Sequence, residues 1–367
     1  MSVIIFLVIL VILILVHEFG HFIVAKKNGI RVDEFGIGFP PKILTLGRKN
    51  GTEYTLNWIP LGGFVKIFGE NPSYESISGP DSERSFANKS KIIQALVLVA
   101  GVVFNLIFAW FIFAIIFLIG VTTIISNTDL KYSKNVEVVI METLEDSPGA
   151  IAGILSDDRI ISLDGNKIDP LNGIDKIVTY IVGGSGDIEL VLMRADEEVT
   201  LRIMPELGLI SGDPDRRAIG ISMALIGDLK YPVHIALWEG GKITYQITKT
   251  VAVAIGALIV GAFTLSADLS DIAGPIGIVS VVGDAAELGI VSLLFFTAII
   301  SINLAVINIL PIPALDGGRL LFLLIEVVKG SPLQPNVINS LHNIFFILLI
   351  LLILLISYND ILRIIGG

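Results

Sequence analysis

The chain has 367 residues, of which 53% are hydrophobic and only 16% charged, and a formal net charge of −10. Soluble domains carry about 25% charged residues, so the composition excludes an ordinary soluble protein and points to several membrane spans. The negative balance lacks the basic face that nucleic acid requires, which excludes nucleic acid as a partner. With no cysteine there are no disulfides, thiolate ligands or cysteine nucleophile, and any metal site must come from Asp, Glu and the 4 histidines.

In chain order, residues 1–27 form an apolar run long enough to span a bilayer. The run lacks a positively charged start and a small-x-small cleavage site, so it is expected to be a retained first transmembrane helix rather than a cleaved signal. Residues 28–91 alternate apolar and polar side chains and are punctuated by Gly and Pro, as in "EFGIGFPPKILTLGRKNGTEYTLNWIPLGGFVKIFGE". This predicts a cytosolic or membrane-associated β region. A second span covers 92–125. Residues 131–206 differ, being charged and Gly-rich with short β-type runs such as "VEVVI", "RIISLDG" and "IELVLM", and read as one small water-soluble domain. Residues 207–289 read as a linker holding an apolar stretch at 251–265; 290–325 and 341–358 supply a third and a fourth span.

Basic residues set the orientation. Lys26, Lys27, Arg31, Lys42, Arg48, Lys49, Lys66, Arg84, Lys89 and Lys91 crowd the segment between the first two spans, which marks it as cytosolic. The N-terminus then faces outward and the soluble domain lies outside the cytosol. If 251–265 crossed the membrane, the helix beginning at Ile290 would end on the outer side. "KITYQITKT" ahead of that stretch suits an interfacial or re-entrant helix instead, and about four spans are expected.

The first span carries the chemistry. His17-Glu18-Phe19-Gly20-His21 matches H-E-x-x-H, in which residues four apart share a helix face and can bind one Zn²⁺. Glu18 is then placed to take a proton from water made acidic by the metal. The bland reading is polar groups snorkelling to an interface, but ionisable residues inside a span are functional by default. A catalytic zinc wants a third protein ligand, and His234, His342 and Asp316 are the candidates. Asp316 in "NILPIPALDGGRL" is the strongest: Pro311 and Pro313 break the helix and Gly317 and Gly318 allow close backbone approach. Taken alone it reads better as a turn or capping aspartate, but paired with an intramembrane H-E-x-x-H it reads as the ligand. Asn303 and Asn308 lie in the same apolar helix, suited either to an oxyanion or substrate contact or to interhelical hydrogen bonds.

These motifs resemble the site-2 proteases, a family of intramembrane zinc metalloproteases, and most of all the bacterial RseP/RasP branch. "HEFGH", "GFPPKI", "PLGGFVKIFGE", "SPGAIAGILSDDRIISLDGNKI", "AGPIGI" and "NLAVINILPIPALDGGRLLF" carry the resemblance, in order across nearly the whole chain. The resemblance implies Zn²⁺ held by His17, His21 and Asp316, with Glu18 activating water. It puts Asn303 and Asn308 on the substrate side of the third span. It also makes the hairpin region, with Gly63 and Phe64, a membrane-associated edge able to take an unwound substrate by strand addition.

The soluble domain resembles a single extracytosolic PDZ domain, a size filter or a binder of a peptide ligand. The fold expected is thus a polytopic α-helical membrane protein with a membrane-associated β-hairpin region and one PDZ-like α+β domain. It would be multi-pass in the cell (inner) membrane, with the active site near the cytosolic face. The function implied is cleavage of transmembrane segments of single-span proteins within the lipid bilayer, with anti-sigma factors or remnant signal peptides as substrates.

Two other readings compete. One is a zinc-stabilised membrane scaffold acting through its PDZ domain, for which Glu18 has no use. The other is a membrane-anchored peptidase with its motif outside the bilayer, but the apolar run before His17 is only the fourteen residues Val3 to Val16, too few for a complete span.

Overall fold

The computed structural model describes residues 1–184, 186–210, 212–264 and 274–366. The chain divides into two compact units, one of residues 1–116 and 234–367, the other of residues 117–233.

The first unit begins with α1 (Ser2–Lys27). Its buried residues Ile9, Leu13, His17, Gly20, His21 and Ala25 recur every three or four positions and form one stripe. The stripe's start packs with Val282, Ile278, Leu293 and Leu304. Its end packs with Ile30, Val32, Ile67 and Val97. Lys26 and Lys27 close the helix, where positive charge suits the carbonyl end.

Strands β1 (Val32–Lys49) and β2 (Thr52–Ile67) follow as an antiparallel pair. β2 wraps around its partner: Phe35 faces Tyr54 from the first half of β2 and Val65 from the second. Residues Glu34–Ile37, near the start of β1, are therefore flanked on both sides, and the outer side chains Ile43, Leu44, Leu46, Trp58 and Ile59 are exposed. Several large apolar side chains exposed on one hairpin suit a partner or a membrane better than water.

After the short α2 (Tyr74–Ser78), α3 (Lys91–Ile119) runs back along α1. Lipid gives helices no hydrophobic reason to associate, so close packing over small residues must hold them. Gly20 is one such point: a Cβ there would lie 2.5 Å from the Ala100 carbonyl oxygen.

The second unit is a seven-stranded sheet. It comprises β3 (Val121–Ile124), β4 (Ser133–Thr143), β5 (Arg159–Leu163), β6 (Asn166–Lys167), β7 (Ile188–Arg194), β8 (Glu197–Ile203) and β9 (Ile221–Leu229), with helices α4 (Pro148–Ile151) and α5 (Gly173–Gly183). The order is β3-β9-β4-β5-β7-β8, with β6 on β5, and its pairings are antiparallel. Alternate residues Ile188, Leu190 and Leu192 of β7 are buried, and Ile177 and Ile181 of α5 complete the core.

The sheet extends past 131–206 at both ends. β3 precedes that stretch, and β9, the partner of β4, falls within the segment that reads as linker. β3 covers β9 only over Ile226–Leu229, and a groove of about 440 Å³ lies beside Ile219–Met223, lined also by Val178, Ile181 and Val182 of α5.

The remaining helices complete the first unit: α6 (Val233–Thr264), α7 (Pro275–Glu287), α8 (Ile290–Asn308), α9 (Asp316–Lys329) and α10 (Pro335–Gly366). The polar stretch before 251 and the apolar one after it are a single continuous helix, α6; Leu265 lies outside the described residues. Among the described residues, five helices are long and apolar enough to cross a membrane by length and composition. They are Ser2–Lys27, Lys91–Ile119, Val233–Gly261, Ile290–Asn308 and Asn336–Leu362.

Candidate metal centre

Helical spacing puts His17 and His21 one turn apart on the buried stripe of α1, with their Nε2 atoms 3.2 Å from each other. Asp316, the first residue of α9, brings its Oδ2 to 2.9 Å from His17 Nε2 and 3.3 Å from His21 Nε2. Metal–ligand bonds of about 2.0–2.2 Å in tetrahedral geometry set neighbouring ligand atoms ~3.3 Å apart. The triangle of two imidazole nitrogens and one carboxylate oxygen thus has the size and the chemistry of a zinc site with one position left open.

The surroundings fit a metal too. Gly101 of α3 faces both rings, and a Cβ on it would lie 2.4 Å from His21 Nε2 and 2.7 Å from His17 Nε2. Only a residue without a side chain leaves that space open beside the donors.

The far side of each ring is held so that Nε2 points inward. His21 Nδ1–H donates to the Val97 carbonyl at 2.7 Å, which leaves the Nε2 lone pair for a metal. His17 Nδ1 lies 3.4 Å from the Asn105 side-chain Nδ2, while Asn105 Oδ1 has no hydrogen-bond partner among the described residues. Turning that amide end over lets Oδ1 accept the His17 Nδ1–H and satisfies both groups. Ser301 Oγ in turn donates to the Asn105 backbone carbonyl at 2.9 Å, tying α8 to α3 behind the site.

Asp316 arrives by a tight turn. α8 ends at Asn308, Pro311 and Pro313 forbid its continuation, and α9 starts at Asp316. A Cβ on Gly317 would lie 2.2 Å from the carbonyl oxygens of Ile309 and Leu310, and one on Gly318 equally close to that of Ile312. The two glycines are what let the turn fold onto the start of α9, where an acidic residue also meets the positive end of the helix. Three residues on, Arg319 pairs with Glu70, which follows β2.

Glu18, next to His17 in sequence and within electrostatic reach of both histidines and Asp316, also reaches the hairpin. Its Oε2 accepts the Val65 backbone N–H at 3.1 Å, so the edge of β2 runs past this carboxylate. Gly63 and Phe64 immediately precede that contact. Gly63 is buried against Leu15, 2.8 Å from where its Cβ would be, and the Phe64 ring covers Gly36. Asn303 and Asn308 stay outside the donor cluster. Asn303 donates to the Ile299 carbonyl of its own helix at 3.0 Å, and Asn308 is half-buried at the end of α8. Of the other third-ligand candidates, His234 is exposed at the start of α6, and His342 accepts the Ala314 N–H at 2.8 Å instead of facing the donors.

Residues that sequence reasoning missed are Gly101, Asn105 and the Glu70–Arg319 pair. The available signal for the first two was a glycine and an amide four apart in an otherwise apolar helix, "GVVFN".

Membrane-length helices, an H-E-x-x-H helix and a third carboxylate donor meeting its histidines define a membrane metalloprotease. The comparisons agree. The model of peptidase family M50 matches residues 5–352. A Clostridium perfringens protein named as a zinc metalloprotease is 33% identical over 95% of both chains. A Nostoc protein with the same kind of name is 35% identical over 92% of this chain and 89% of its own. The regulator of sigma-E protease RseP of Salmonella typhimurium is 29% identical over 98% of each. The chain belongs to peptidase family M50, the site-2 proteases, and is a zinc metalloprotease of the multi-pass membrane type.

Proposed function

We propose that this protein is an intramembrane endopeptidase that cuts the transmembrane segments of single-span proteins, with zinc held by His17, His21 and Asp316 and with Glu18 as the base. The meeting of Asp316 with both histidines across 299 and 295 residues of sequence carries the reading. Bound zinc supplies Lewis acidity, which makes water deprotonable near neutral pH and polarises a carbonyl. Glu18 takes the proton on its carboxylate and returns it to the departing amide nitrogen, so the carboxylate ends each turnover as it began. The Asn303 and Asn308 amides orient the substrate backbone or its developing oxyanion.

A helical peptide bond is shielded by its own hydrogen bonds and must be opened before attack. The β2 edge beside Val65, with Gly63 and Phe64, takes the unwound segment by strand addition. The exposed apolar side chains of β1 and β2 support a membrane-associated position for that edge. The chain crosses the bilayer about four times with α6 interfacial or re-entrant, and the basic segment between the first two spans keeps the active site near the cytosolic face of the cell membrane. The sheet unit is a PDZ-type domain outside the cytosol. Its groove beside β9 admits a peptide ligand, and its bulk holds back intact ectodomains. Anti-sigma factors or remnant signal peptides, already trimmed by another protease, are the substrates.

The test is cleavage by the purified chain in liposomes of a single-span protein with and without its folded ectodomain, with the cut located by mass spectrometry. The expected result is a cut inside the apolar segment, faster in the trimmed form. A cut only in soluble flanking sequence would overturn the intramembrane reading.

A further inference from the structure

The turn that delivers Asp316 is held from outside. Ile312 N–H bonds the Leu310 carbonyl and Leu315 N–H bonds the Ile312 carbonyl, both within the turn. Pro311 and Pro313 have no N–H to give. The Ala314 N–H instead reaches 28 residues along the chain to His342 Nδ1 in α10, at 2.8 Å. Ala314 also has φ +90°, a region that residues with a side chain rarely occupy. Such a conformation persists only where the surroundings over-determine it, and the His342 bond is a constraint applied at that residue. The imidazole is itself fixed edge-on against Phe322 of α9, with ring centroids 5.7 Å apart. Two residues after Ala314, Asp316 Oδ2 must fall within about an ångström of one point to meet both histidines.

We propose that His342 is a positioning residue for the metal centre: by accepting the Ala314 N–H it fixes the turn that aims Asp316 at His17 and His21. This rests on the reading of Asp316 as the third zinc ligand. It gives α10, which contributes no donor to the metal, a defined part in catalysis. The role needs an acceptor at the Nδ1 position, with the ring proton on Nε2. Asparagine can supply that acceptor through Oδ1, while leucine fills similar space without one.

The test uses the full chain purified in detergent, with zinc affinity measured by chelator competition, and kcat and KM on a model transmembrane substrate. His342→Leu is expected to lose roughly tenfold or more in zinc affinity, the size of effect of outer partners of metal ligands, with kcat falling and KM nearly unchanged. His342→Asn is expected to keep near wild-type values in both. A purely space-filling role predicts the reverse order, with leucine tolerated and asparagine not, and that order overturns the proposal. If the leucine variant does not purify folded, the asparagine variant decides alone: retained zinc affinity supports the acceptor role and a loss refutes it. Asp316→Asn is the control. Unchanged zinc affinity there would overturn the site reading itself, whereas a loss there beside a wild-type His342→Leu would sink this inference only.

Discussion

In the helical unit the polar contacts join distant parts of the chain: His17 to Asp316, His21 to Val97, Ser301 to Asn105 and Ala314 to His342. In the sheet unit, buried Asp158 is met by the Leu155 N–H three residues away and by Arg194 one strand over, at 2.7 and 2.8 Å. The sheet unit is built as a soluble domain is, with alternating strands closing over an aliphatic core and a buried charge paired within it. Among the long helices of the helical unit nearly every side chain is apolar, so apolarity alone selects no particular arrangement. Small residues set how closely helices approach, and the few polar groups set which atoms meet. Substitutions should therefore act differently in the two units: in the helices on the metal and the chemistry, in the sheet on stability.

The largest effects belong to the donors. His21→Ala or Asp316→Asn should abolish stoichiometric zinc and bring cleavage to background, with the helical content by circular dichroism unchanged. Next comes Gly101→Ala, whose methyl group would occupy the space beside both histidine Nε2 atoms. Zinc affinity should fall at least as far as the 10–100-fold typical of an outer-partner loss, though alanine is the better helix former. Asn105→Ala removes the group facing His17 Nδ1 and should cost about tenfold in zinc affinity.

The sheet unit supplies the contrast. Asp158→Asn should lower its stability by about 1–3 kcal/mol, the cost of spoiling a buried hydrogen-bonded group, and leave zinc affinity untouched. Burial raises the Asp158 carboxyl pKa, but the Arg194 guanidinium and the Leu155 N–H outweigh it and hold the group below its ordinary value of 3.8. The unfolded chain therefore binds this proton more readily than the folded one. The pair's contribution is full above that value and is lost as pH falls below it. Denaturant titrations across that range should show the loss in the wild type and not in Asp158→Asn.

What the sequence made legible follows the same division. H-E-x-x-H was readable because its geometry needs only five consecutive residues, and Asp316 because the Pro and Gly residues around it announce a broken helix. Gly101 and Asn105 were not readable, since nothing within "LVLVAGVVFNLIF" tells which face of α3 will meet α1. β9 escaped because its partner β4 lies about ninety residues upstream, Ile226 facing Glu137. His342 was singled out for its chemistry, but its use as an acceptor for Ala314 depends on a backbone conformation that no local pattern encodes.

The most direct test of the account is to measure zinc content and cleavage of a transmembrane substrate side by side in the wild type and in Glu18→Gln. The substitution keeps the side chain's shape and leaves all three donors in place. The account predicts full zinc occupancy in both proteins and cleavage in the wild type alone. Cleavage persisting in the zinc-loaded Gln variant would contradict it.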